Sequence, residues 1–116
     1  MPRNMSFMLT TRQFKDKSKT VTRRVGWWFL KPGDIVMGCE KCQGLKKGEK
    51  VNRLGLIRIV STRKEPLEAI MANPVDVIRE GFPEWRLTPG RFVEMFCKHN
   101  KCNSGKVVNR IEFEYL

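Results

Sequence analysis

The chain has 116 residues, enough for one domain but not for two separate cores. An apolar fraction of 41%, with seven Phe, three Trp and one Tyr, excludes a disordered chain. The net charge of +11 points to phosphate polymers or acidic surfaces as partners, and it is concentrated: residues 1–64 carry 16 Lys and Arg against 4 acids, residues 65–116 carry 7 against 8.

No stretch approaches the roughly 18 apolar residues of a membrane span. Met1 to Thr11 lacks the apolar centre and cleavage site of a secretory signal, so no membrane partner is expected and the protein is assigned to the cytosol. Reducing conditions there favour free thiols or metal ligation over disulfides for the four cysteines.

Met5 to Leu9 suits a short first strand, and Thr10 to Lys17 a brief polar helix with Thr10 as its N-cap. Lys19 to Val25 alternates Thr, Val, Thr and Arg, a pattern for an extended segment. Lys31-Pro32-Gly33-Asp34 is a turn, since Pro fixes φ at its second position and Gly permits positive φ at the next; it launches a strand over Ile35 to Glu40. Gly44 to Lys50, with two Gly and three Lys, reads as an exposed loop. In Arg53 to Arg63 the apolar run of Leu54, Leu56, Ile57, Ile59 and Val60 predicts a strand buried on both sides, as in a barrel wall covered by a helix.

Pro66 to Met71 and Pro74 to Arg79 read as short helices with Pro near the first turn, the second stopped by Gly81. Thr88-Pro89 is an N-cap followed by a first helical residue; Phe92, Met95 and Phe96 recur at helical spacing until Asn100, and this helix is expected to lid one barrel end. Val107 to Leu116 predicts a strand with Val107, Ile111, Phe113 and Tyr115 on a core face and Arg110, Glu112 and Glu114 on a wet one. The order of elements predicts an α+β barrel rather than a doubly wound sheet.

Lys19-Thr20-Val21-Thr22-Arg23-Arg24, then Lys31-Pro32-Gly33-Asp34, then Glu80-Gly81-Phe82 and the last strand follow one another in an order that resembles the ASCH family over nearly the whole chain. The resemblance implies a PUA-like small β-barrel with short helices packed at its ends. It also implies a cleft facing RNA in which Lys19, Thr22, Arg24 and Glu80 meet. Lys17 stands where many members of that family carry Gly, which puts the tight turn before Lys19 in question.

ASCH-type amidohydrolases that deacylate N4-acetylcytidine carry a lysine, a threonine and a glutamate that match Lys19, Thr22 and Glu80. A lysine whose pKa is lowered by burial or by Arg23 and Arg24 serves as the base for a threonine nucleophile, and a carboxyl group passes the proton to the leaving amine. Arg24 or a backbone N–H would hold the oxyanion. The competing expectation is a solvated basic face in which Glu80 merely pairs with an arginine.

The leading expectation is a binding module, to which the amidohydrolase is the alternative: it places Lys17, Lys19, Thr20, Arg23 and Arg24 on RNA or a nucleotide, joined by Lys46 and Lys47 from the loop, by Phe82 and by Trp27. Bases stack on aromatic faces while cations neutralise phosphates, but one of Trp27 and Trp28 is expected in the core. A protein-interaction module using the same charge on an acidic partner is a third class. Cys39-x-x-Cys42 has zinc-ligand spacing, and with Cys97 and Cys102 forms a candidate structural zinc set, against a plain core role for Cys97. No other cofactor is called for. His99, the single histidine, reads as a helix cap unless it reaches the cleft. The Gly44 to Gly48 segment lacks the ending of a P-loop.

Overall fold

The computed structural model describes residues 3–40, 48, 50–83 and 86–116. Strand β1 (Arg3–Ser6) leads through a 3-10 turn (Met8–Thr10) into helix α1 (Thr11–Lys15), followed by β2 (Val21–Arg24), β3 (Ile35–Cys39) and the long β4 (Arg53–Pro66). A 3-10 helix (Leu67–Ala72), α2 (Val75–Arg79) and α3 (Pro89–Asn100) precede β5 (Val107–Tyr115). The strands form one sheet in the order β1-β3-β4-β5-β2, with β1 parallel to β3 and every other pair antiparallel.

The fold is α+β, and the sheet curls into a half-barrel instead of the closed barrel expected. Its two edges, β1 and β2, are four residues each, and side chains connect them: the Arg24 guanidinium lies 4.9 Å from the centre of the Phe7 ring. The concave side holds Met5, Phe7, Phe14, Ile57, Ile59, Ile111 and Phe113. Gly38 admits Phe14, since a Cβ at that position would stand 2.4 Å from the ring. A second core gathers Leu67, Ile70, Val77, Phe82, Phe92, Phe96 and Val108 where the helical insertion covers the outer face of the sheet.

That second core corrects two expectations. Arg110 is only 5% exposed, because α2 covers the face of β5 that alternation assigns to water, and Val108 on the same face joins the helices. Val107, assigned to the core face, is exposed at the strand's start. In β4 only Ile57 and Ile59 are fully buried while Leu56 and Val60 face outward, so the apolar run is covered on one side and the pleat decides which residues are buried. The first strand also begins earlier than its apolar residues suggest, and Met8 to Leu9 belongs to the 3-10 turn.

The local signals are realised. Gly33 takes φ 94° and the Asp34 N–H closes on the Lys31 carbonyl at 3.0 Å. Thr88 caps α3 by accepting from the Arg91 N–H at 3.2 Å. The turn before Lys19 forms without glycine: Lys17 adopts φ 63°, and the N–H groups of Lys17 and Ser18 return to the carbonyls of Phe14 and Gln13. Left-handed backbone costs a residue with a Cβ about 1–2 kcal/mol, and glycine returns part of that gain as unfolded-state entropy. Lys17→Gly is therefore expected to stabilise the protein by about 0.5–1 kcal/mol, read as a higher denaturant midpoint at unchanged slope.

Among the described residues, no helix is long and apolar enough to cross a membrane.

Candidate functional site

The turn at Lys17 delivers Lys19 into a position held from three sides. Its N–H donates to the Gln13 carbonyl at 3.3 Å, its carbonyl accepts from the Tyr115 hydroxyl, and the next N–H, of Thr20, donates to the Arg79 carbonyl at 2.7 Å. The side chain is thereby directed at the C-terminal end of α2. Lys19 Nζ donates to both the Glu80 carbonyl and Glu80 Oε1, each at 2.8 Å. Arg23 Nη1 takes the other carboxylate oxygen at 3.1 Å. Lys19, Glu80 and Arg23 are all at least 95% buried, so the solvated basic face is overturned, although Glu80 does pair with an arginine.

Behind Glu80 stands a carboxylate that the sequence did not single out. Asp76, with no exposed surface, accepts from Arg110 Nε at 2.7 Å and Nη2 at 2.9 Å, from Arg79 at 3.1 Å and from Arg23 Nη2. Burial alone would raise its pKa, but the hydrogen bonds from Arg110 and Arg23 prevail and hold it well below the usual carboxylate range. Arg23 thus links two acids, and it is fixed in place before any ligand arrives. Burial likewise lowers the Lys19 pKa against the pull of Glu80, with Arg24 and Arg23 adding to the decrease.

In front of Lys19 lies a cavity of about 170 Å³. Residues of both sheet edges line it, Ser6 and Phe7 beside β1 and Thr22, Arg23 and Arg24 from β2, together with Glu80, Phe82 and one face of α3. Phe92, Met95, Phe96 and His99 make up that face, so the single histidine does reach the cleft. The volume is that of a site for one aromatic ring, since a cavity of about 150 Å³ takes benzene. Its walls are aromatic, and among the described residues that line it stand the cations Lys19, Arg23 and Arg24 and the acid Glu80.

Six of the expected residues therefore converge: Lys19, Thr22, Arg23, Arg24, Glu80 and Phe82. Lys17, Thr20 and Trp27 are not among the residues that line the cavity. Lys17 is exposed on its turn, Thr20 is held by main-chain bonds to Arg79 and Phe113, and Trp27, at φ 59°, packs against the concave core. Lys46 and Lys47 lie outside the described residues.

Thr22 Oγ1 accepts from Arg24 Nε at 3.1 Å, which leaves the hydroxyl proton free to be donated. The bonds of Glu80 go instead to Lys19 and Arg23. Threonine and glutamate share one cavity, but each is held by a different cation.

Cys39 is buried at the end of β3, whereas Cys97 and Cys102 lie together at the end of α3, against the second core. Burial and the neighbouring Cys102 thiol push the Cys97 thiol up. Cys42 lies outside the described residues, and among those described no group of three or more His, Cys, Asp or Glu is placed to hold a metal ion.

Asp76 and Arg110 carry no motif: Asp76 stands between two valines, and Arg110 shares an alternating strand with Glu112 and Glu114. Comparison of the chain with protein-family models, with curated proteins and with solved structures finds no match.

Proposed function

We propose that the chain is a PUA-like domain of the ASCH type that takes one nucleobase of an RNA or a nucleotide into the cavity between its sheet edges. The observation that carries this reading is the cavity's make-up: a ring-sized space between Phe7, Phe82, Phe92 and Phe96, with three cations and one carboxylate among the described residues of its wall. Aromatic walls stack a planar ring, while donors from Lys19 and Arg24 meet its carbonyl oxygens or the adjoining phosphate. The chain's net charge of +11 would draw a polyanion to the opening.

A second reading, an amidohydrolase acting on an N4-acylated cytidine, is favoured by one observation: burial lowers the pKa of Lys19 beside a threonine on the same cavity. As a free amine, Lys19 takes the proton of Thr22 while Oγ1 attacks the acyl carbon. The C–N bond then breaks and the amine leaves with a proton. Water cleaves the ester that remains, releasing the carboxylate and restoring Thr22.

Calorimetric titration with the four nucleoside 5′-monophosphates tests the first reading. Binding should weaken as salt rises, and Arg24→Ala should lower affinity roughly tenfold or more. Affinity that ignores salt, or no binding by any of the four, rejects it. The same solutions, supplied with N4-acetylcytidine and followed by chromatography, separate the readings: turnover abolished by Thr22→Ala supports the enzyme, and no turnover removes it.

A further inference from the structure

We infer that Trp28, with Lys64 beside it, is a stacking platform for single-stranded RNA leading out of the cavity, an inference that rests on the nucleobase-binding reading. The segment after β2 divides its aromatic residues. Trp27 turns inward at φ 59°, its ring packs against the concave core, and its carbonyl accepts from Asn109 Nδ2 at 2.9 Å. That inversion leaves Trp28 47% and Phe29 52% exposed. Large aromatic rings held open to water by an otherwise anchored turn call for a ligand, because burying them elsewhere would be favourable.

The surroundings of the two rings identify its chemistry. Lys64 Nζ lies 5.3 Å from the centre of the Trp28 ring, and Arg3 Cζ lies 4.8 Å from that of Phe29. Each ring is thus paired with a cation free to turn to a phosphate while the ring receives a base. An apolar protein partner would have to bury both cations, and a duplex keeps its base faces stacked within itself. A single strand supplies base face and phosphate together, and RNA is the nucleic acid most often read in that splayed form.

The path from the cavity is short. Arg24 on β2, Asn109 on β5 and Lys64 on β4 are direct cross-strand partners and so share one face of the sheet. Neighbouring strands stand roughly 4.8 Å apart, which places Lys64 about 10 Å from Arg24 in the cavity wall. A base in the cavity therefore has its neighbour within reach of Trp28.

The test is calorimetric titration of the full chain with nucleoside monophosphates and with single-stranded RNA and DNA tetranucleotides. RNA tetranucleotides should bind roughly tenfold or more tightly than mononucleotides; Trp28→Ala should remove most of that gain and Trp28→Phe should keep it. Mononucleotide affinity should be unchanged in both variants, since Trp28 is not part of the cavity wall. If Trp28→Ala binds RNA tetranucleotides as the parent does, or length adds nothing, the platform is overturned while mononucleotide binding preserves the cavity reading. RNA binding that depends on Trp28 in the absence of any mononucleotide binding upholds the platform and removes the cavity reading. Failure of every ligand removes both, and equal affinity for DNA overturns the choice of RNA.

Discussion

Asp76→Ala is expected to cost about 3–5 kcal/mol, the largest loss from any single truncation of a polar side chain in this fold. Asp76 has no exposed surface, and it is the acid on which Arg23, Arg79 and Arg110 converge. Its removal leaves Arg110, nearly buried, with only Glu112 and Glu65 at 3.8 and 3.9 Å, and strips Arg23 Nη2 of its shortest bond, leaving that guanidinium Glu80 at 3.1 Å and Glu65 at 3.4 Å. A domain of this size holds roughly 5–15 kcal/mol in total, so the variant should lose about a fifth of its stability or more. In a thermal scan the Tm should fall by roughly 15–25 °C. Because the penalty comes from stranded charge, Asp76→Leu combined with Arg110→Met should cost much less than the two changes added together. Simple additivity in that double-mutant cycle would mean that the pair is not coupled as the geometry requires.

The same residue sets the acid limb of stability. Its pKa in the folded protein lies well below the ordinary value, as the hydrogen bonds from Arg110 and Arg23 outweigh the effect of burial. At low pH the unfolded chain takes up a proton that the folded chain refuses, so stability rises with pH there. The contribution is complete above the unfolded pKa of about 4 and disappears as the pH falls toward the lowered folded value.

The sequence made the local structure legible because its signals are chemical and short-ranged. Gly33 in the turn and Thr88 at the cap of α3 act within four residues, and both behave as their chemistry requires. Contacts between distant elements were less accessible. Alternation in β5 assigned Arg110 to water, because periodicity records which face a residue occupies and not whether another element covers that face. Asp76 lies 34 residues away in the sequence, and only the docking of α2 on β5 turns two polar positions into a buried pair. Leu56 and Val60 failed for the converse reason: the helices cover the part of the outer face near Val108 and Arg110 and leave these two to solvent. Within the site, no periodicity joins Lys19 to Glu80, 61 residues on, and only the folded chain brings them to 2.8 Å. The Lys17 turn lacks glycine, yet the bonds to Phe14 and Gln13 hold a lysine in the strained conformation.

Gly81→Ala is expected to lower stability by about 2–4 kcal/mol and to remove ligand binding even from the molecules that remain folded. Two costs coincide at this position. The residue has φ 105°, which a Cβ opposes, and that Cβ would stand 2.8 Å from both Cβ and Cγ of Gln13. Gln13 cannot relieve the overlap by a rotamer change, because its own Cβ is fixed to the backbone of α1. The helix must therefore shift. The Gln13 carbonyl accepts the N–H groups of Ser18 and Lys19, so a displacement of α1 carries Lys19 with it. Glu80 and Phe82, on either side of the glycine, both line the cavity, and the shift would separate Lys19 Nζ from the Glu80 oxygens it holds at 2.8 Å. The measurements are a denaturant melt and a mononucleotide titration at a temperature where circular dichroism shows the variant folded. A folded Gly81→Ala protein with the parent's affinity would show that the cavity does not depend on the approach of α1 to α2. Affinity lost together with stability, at a site whose lining side chains are all unchanged, would identify that approach as what holds Lys19 against Glu80.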